Sequence, residues 1–304
     1  MNMGGGSWKD STWNSYKKTS GIDRATNASD IYSRTTTKTE WLPYNVMRES
    51  CDSEEHPNST PIILGLDVTG SMSRILHIMA DKLGVTMGEI YKRDCVPDPQ
   101  VCFAAVDDYI TSDNEALQVT QFESDIRIAE QMKEIKFIQR GGGNSWESYA
   151  LAWYFAAKHT KCDAIKKGRK GIIITMGDDG FQPTLSREEI EVVFGDKIEK
   201  DIDVHTLINE LNRDWEIFHL NLAEGGSYST RLDKEWNSLL GTHAITVENV
   251  DKLPEIIVSI LQTVKGDSLD SIVKSWDGST AVAVQDALSG LTVVNNSSTG
   301  AVLF

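Results

Sequence analysis

Short, almost wholly apolar runs alternate along this chain with charged stretches long enough to be helices, and that alternation limits the folds open to it. Residues 61–66, 101–106, 171–175 and 215–220 are apolar at most positions and rich in Ile, Val and Phe, as strands buried on both faces are. Residues 117–122 follow the second run too closely for a crossover, so they are expected to form an antiparallel edge hairpin with it. Residues 244–247 supply a sixth run. The predicted class is therefore α/β: a doubly wound, mostly parallel, six-stranded sheet with one antiparallel edge strand. A first helix is expected over 73–91, with Ile75, Ile78, Met79, Leu83, Met87 and Ile90 on one side, and a last core helix over 254–264. About thirty charged, helix-prone residues, 186–214, exceed a minimal crossover and are read as an insertion that helps to set partner choice.

In an open sheet of this kind, ligands gather at the carboxyl ends of the strands. The first run ends in Asp67, Val68, Thr69, Gly70, Ser71, Met72 and Ser73. One carboxylate and two hydroxyls at i, i+2 and i+4 can deliver three hard oxygen ligands to one point, which suits a magnesium-like ion. A plain strand-to-helix turn capped by Asp67 or Thr69 is the structural alternative. Two further loops belong to the same edge. Gly141, Gly142 and Gly143 precede Asn144, Ser145, Trp146, Glu147 and Ser148, where glycine allows close backbone approach and the polar residues can cap a helix or reach an ion. The run at 171–175 leads through Met176 and Gly177 into Asp178 and Asp179, which could equally be turn formers.

Taken in order, these three loops resemble the metal-ion-dependent adhesion site of von Willebrand factor A domains, whose first loop reads Asp-x-Ser-x-Ser; Thr69 stands in place of one Ser. The family's second loop is Gly-Gly-x with a metal-binding Thr. No Thr occurs here, so the resemblance puts Asn144, favoured by position, or Ser145 in that role, and less simply Glu147. The family's third loop is usually Thr-Asp-Gly; two inserted residues leave Asp178 and Asp179 as alternatives. What the resemblance implies is a Rossmann-like domain over 59–265 that binds one Mg²⁺ or Mn²⁺ and acts without catalysis, a protein partner's Asp or Glu completing the coordination. Intracellular members of the family commonly work beside AAA+ ATPases, which makes such an ATPase an implied partner.

The formal net charge of −15 and pI near 4.8 exclude unaided binding to nucleic acid or an anionic membrane, which needs clustered Lys and Arg. No run is long enough to span a bilayer and the start has no leader pattern, so a cytoplasmic protein is expected. Cys51, Cys95, Cys102 and Cys162 lack metal-site spacing or a disulfide framework. Phosphatase chemistry of the Asp-x-Asp type lacks its second acid, because Thr69 occupies that place. Nor does the chain carry a nucleotide-phosphate loop or a nucleophile elbow. The dispersed histidines, His219 and His77 among them, are read as packed or surface residues.

Residues 1–58 read as a polar, largely irregular arm whose Trp8, Trp13 and Trp41 clamp it to the core or to a partner. Residues 266–304 read as a separate tail ending in an apolar stretch that docks on the core or on another chain, with oligomerisation through the tails as one outcome. Two other functions compete with the adhesion module: a structural or assembly protein of phage or large-complex origin that docks through its termini, and a metal-dependent phosphotransferase.

Overall fold

The structure, a computed structural model, describes residues 6–138, 146–224 and 228–292. Its centre is a six-stranded sheet built from β1 (Thr60–Asp67), β2 (Pro99–Val106), β3 (Leu117–Val119), β4 (Gly171–Gly177), β5 (Trp215–Leu222) and β6 (Ala244–Val247), in the spatial order β6-β5-β4-β1-β2-β3. All neighbours are parallel except β2 and β3, which are antiparallel, so the doubly wound class and its antiparallel edge are as the sequence predicts. Every residue of β1 and β2 is buried, which explains why these strands read as continuous apolar runs instead of alternating ones.

Alternation appears instead in what each residue meets. Ile62, Leu64 and Leu66 of β1, Val101, Phe103 and Ala105 of β2, and Ile172, Ile174 and Met176 of β4 share one core with α2 (Ser73–Asp81), α3 (Leu83–Lys92), α4 (Arg127–Lys133) and α9 (Leu253–Lys265). Ile63, Cys102, Ala104, Ile173 and Ile217 face the other way, into a second core with α5 (Tyr149–Lys158), α6 (Arg187–Phe194), α7 (Val204–Leu211) and α8 (Thr230–Leu240). The period of two along each strand thus produces three layers. Helices α6 and α7 are the helical content expected of residues 186–214.

Two expectations need revision. The helix predicted over 73–91 is interrupted at Lys82, whose backbone (φ −99°, ψ 9°) leaves helical values between α2 and α3. Lysine is a good helix former, so nothing at that position announces the break. The arm read as largely irregular carries α1 (Asp10–Ser20), and Trp8, Trp13 and Trp41 are 7%, 5% and 3% exposed. Trp13 occupies the space above Gly84, where an added Cβ would lie 2.1 Å from its indole nitrogen; only glycine lets α1 sit this close to α3. Beyond α9, α10 (Leu269–Lys274) and α11 (Gly278–Leu288) pack Ile272, Val284 and Leu288 into the first core. The apolar end of the tail, 293–304, lies outside the described residues.

Candidate functional site

Strand β1 ends at Asp67, fully buried between β2 and β4. Its Oδ1 accepts hydrogen bonds from the Thr69 backbone N–H at 2.8 Å and the Thr69 hydroxyl at 2.7 Å. Its Oδ2 has no hydrogen-bond partner among the described residues. The chain then makes a short 3₁₀ turn, Gly70–Met72, before α2, and this turn brings Ser71 Oγ to 3.2 Å from Thr69 Oγ1. Ser71 Oγ also donates to Asp178 Oδ1 at 3.1 Å, tying the first loop to the loop after β4.

Proton counting exposes a deficit in this chain of oxygens. Each hydroxyl has one proton. That of Thr69 is used on Asp67 and that of Ser71 on Asp178, so the two hydroxyl oxygens face each other through lone pairs. Two carboxylates and two hydroxyls therefore converge with more acceptors than donors, while one buried carboxylate oxygen is left over. Burial, and next the charge of Asp178, push the Asp67 carboxyl well above the usual carboxylate range, against the pull of the Thr69 hydrogen bonds. A hard cation or a proton would relieve such a cluster, and the donor set fits Mg²⁺ or Mn²⁺.

Of the two candidate third-loop acids, Asp178 is the one placed on Ser71, and it is 1% exposed. Asp179 is held differently, its backbone carbonyl accepting from the Trp236 indole N–H at 3.1 Å. Asn144 and Ser145, together with the three glycines before them, lie outside the described residues. Glu147 is described: residues 146–147 pair in parallel with 180–181, which sets it at the same edge. It is 2% exposed, its Oε2 has no hydrogen-bond partner among the described residues, and its carboxyl is pushed up to about 10 by burial and then by Asp67, Asp107 and Asp108.

Asp107, Asp108 and Tyr149 also belong here, although the sequence reading gives them no functional role. Both acids, 1% exposed, follow β2 as Asp178 and Asp179 follow β4, so the same strand-then-acids signal marks them. Asp108 Oδ1 caps Ile110 N at 3.0 Å, and Asp107 Oδ2 accepts from Ser112 Oγ. Tyr149 lies beneath the site, its ring edge on His219 (5.0 Å) and on Trp236 (5.4 Å). His219 stacks on Trp236 at 3.4 Å and meets Thr175 Oγ1 at 2.9 Å; burial holds its pKa well below the usual value, so it is a neutral, packed histidine. Among the described residues, no group of three or more His, Cys, Asp or Glu side chains is arranged to hold a metal ion, so a cation here would rest on hydroxyls as much as on acids.

No protein-family model and no curated protein matches the chain. Among solved structures it is similar to the pilus adhesin SpaC from Lactobacillus rhamnosus GG, with TM-score 0.46 and 9% identity over 71% of this chain and 32% of the adhesin. The open conformation of SpaC gives TM-score 0.46 and 10% identity over 71% and 31%. An aerotolerance-related membrane protein from Bacteroides fragilis NCTC 9343 gives TM-score 0.40 and 14% identity over 67% of this chain and 99% of that one. The chain thus spans about a third of the adhesin's length, and at these scores the site stands on its own geometry.

Proposed function

We propose that the chain is a non-enzymatic, divalent-metal-dependent protein-binding module. Asp67, Thr69 and Ser71, with Asp178 in preference to Asp179, and Asn144 or Ser145 from the second loop, would hold one Mg²⁺ or Mn²⁺. The observation that carries this is the proton deficit: two hydroxyl protons serve three oxygen–oxygen contacts beside a buried carboxylate oxygen that has no partner among the described residues. When bound, the ion would supply positive charge and a coordination position for an Asp or Glu of a protein partner. The chain's own residues do the rest. Thr69 orients Asp67 through two hydrogen bonds, and Ser71 fixes the distance between the first and third loops. Neither neutral hydroxyl reduces the ion's charge, which favours capture of an external carboxylate.

Within this proposal the module works in a multiprotein complex, an AAA+ ATPase being the partner class implied by the sequence resemblance. Trp8, Trp13 and Trp41 are buried in the chain's own fold, which leaves the assembly alternative fewer groups for docking into neighbours.

The test is a calorimetric titration of Mg²⁺ into the chelator-treated full chain, beside the Asp67→Ala variant. One-site binding is expected in the wild type and none in the variant, which should keep its far-UV circular dichroism. Mg²⁺ at 100 times its Kd should also stabilise the wild type alone by about 2.7 kcal/mol. Equal Mg²⁺ binding by the two proteins would overturn the proposal.

A further inference from the structure

Three histidines away from the candidate site meet backbone carbonyls of the amino-terminal arm, and they differ in how many protons those contacts demand. His77 Nε2 lies 3.1 Å from Ala25 O, a contact that a neutral ring makes with its single proton. His56 Nε2 lies 3.1 Å from Gly6 O and its Nδ1 3.3 Å from Asp98 Oδ1, but the Ser7 hydroxyl at 3.5 Å can donate to a neutral Nε2. His159 has no such alternative. Its Nδ1 is 2.9 Å from Val46 O and its Nε2 is 2.9 Å from Asp196 Oδ2, and a carbonyl or carboxylate oxygen only accepts. Tyr154 donates its own hydroxyl proton to the same Asp196 oxygen at 2.8 Å. Burial, and next this bond, hold the phenol above its ordinary value, so it keeps that proton. Both contacts of the imidazole, which is 5% exposed, therefore hold only while each ring nitrogen carries a proton.

The ring sits where the arm joins the second core. Asn45 donates its backbone N–H to Phe194 O and Arg48 donates its own to His159 O, both at 2.9 Å, and Arg48–Ser50 then pairs in parallel with Thr160–Cys162. Phe194 and Tyr154 pack on the imidazole, with ring centroids 4.7 and 6.0 Å away. The other charges on the elements around it are paired or turned elsewhere: Lys158 with Glu210, Lys197 with Glu191, and Arg48 donating to Val119 O at 2.9 Å. This stretch of arm, through Glu40, Trp41, Glu49 and Cys51, also walls a groove of about 940 Å³ against residues 121–134. Histidine is the side chain whose charge ordinarily changes between pH 5 and 8. We infer that His159 is a proton-operated latch on the arm. Protonated on both nitrogens, it fastens residues 43–50 to the end of α5 and to the segment after α6. Loss of the Nε2 proton sets a lone pair against the Asp196 carboxylate, loosens residues 43–50 and opens the groove that they help to wall. The Asp196 side chain is 35% exposed, which gives water a route to that proton. The latch does not depend on the metal-dependent function proposed above.

The test is hydrogen exchange read by mass spectrometry on the full chain at pH 6.0 and 8.0, with labelling times scaled to offset the faster chemical exchange at the higher pH. Protection of the amides in residues 44–50 should fall about tenfold between the two, about 1.4 kcal/mol, as the charge-assisted bond is lost. In Asp196→Asn the new amide N–H can donate to a neutral Nε2 while its carbonyl accepts from Tyr154, so the fall should shrink below about twofold. That rescue is one that a merely structural carboxylate would not give. His159→Gln has no proton to lose in this range, and its arm should be equally protected at both values. No fall in the wild type, an equal fall in wild type and Asp196→Asn, or a pH dependence that survives in His159→Gln would each overturn the latch.

Discussion

Replacing Gly177 with alanine puts the packing beneath the site to a quantitative test. Gly177 is the last residue of β4, and a Cβ added there would lie 1.8 Å from the Tyr149 hydroxyl, 2.9 Å from its ring carbon Cζ and 3.1 Å from Asp67 Cβ. Real Cβ contacts essentially never fall below 3.0 Å, so the phenol would have to retreat by more than 1 Å. It has no easy route, because Tyr149 is 0% exposed and wedged against His219 and Trp236. Overpacking of this severity should cost about 3 kcal/mol, the upper part of the usual range. For a chain of this size that lowers Tm by roughly 6 °C. The clash is mainly with the hydroxyl, which has no hydrogen-bond partner among the described residues. Tyr149→Phe alone should therefore be close to neutral, because the hydroxyl loses no partner. In the Gly177→Ala background it should restore about 1–2 kcal/mol, leaving the tight contacts with the ring carbon and with Asp67 Cβ. Chelator-treated proteins compared by thermal melts give all four corners of the cycle. A Gly177→Ala melt within 1 °C of wild type, or a double variant no more stable than Gly177→Ala, would refute the packing argument.

Two other predictions concern charge and the arm. The Glu147 carboxyl is pushed up to about 10, so the folded chain binds its proton more tightly than the unfolded one, and stability falls as pH rises above the unfolded value near 4.5. His219, held neutral, gains stability only up to its unfolded value near 6.5 and adds no slope above pH 7. Urea melts in chelator at pH 7.0 and 8.5 should therefore show a loss to which Glu147 contributes up to about 2 kcal/mol and the raised Asp67 carboxyl adds its own share, so Glu147→Gln should make the slope shallower without abolishing it; equal slopes in the two proteins would contradict it. Trp13→Ala should destabilise by about 3–5 kcal/mol, because it empties the space above Gly84. An unchanged urea midpoint would show that the arm does not contribute to the fold.

The sheet was legible because strands buried on both faces must be apolar throughout, and 61–66, 101–106 and 171–175 are. The short edge strand could be placed from connection length alone: a loop too brief for a crossover permits only an antiparallel neighbour. Asp67, Thr69 and Ser71 were legible as a set because their spacing survives folding unchanged along one strand end and one turn. The choice between Asp178 and Asp179 was not, since it depends on how the chain twists after Gly177, which no local pattern encodes. Tyr149 escaped notice because in sequence it is one apolar residue of a helix; only the pairing with Gly177 reveals why its hydroxyl lies beside Asp67. The arm was legible only in part: its tryptophans were expected to clamp it, but its composition is that of an unstructured segment, and the seat of Trp13, at Gly84, lies far along the chain.

The position of β1 in the sheet has a consequence for the nascent chain. It pairs with β2 on one side and β4 on the other, and residues 107–170 separate those two partners in sequence. At translation rates of about 5–20 residues per second, the second partner follows the first by roughly 3–13 s. In that interval the edge formed by Ile62, Ile63 and Leu64 has no hydrogen-bonded neighbour, and it is apolar and uncharged, the kind of edge that templates aggregation. The strand that ends in Asp67 thus needs protection from other chains until β4 emerges.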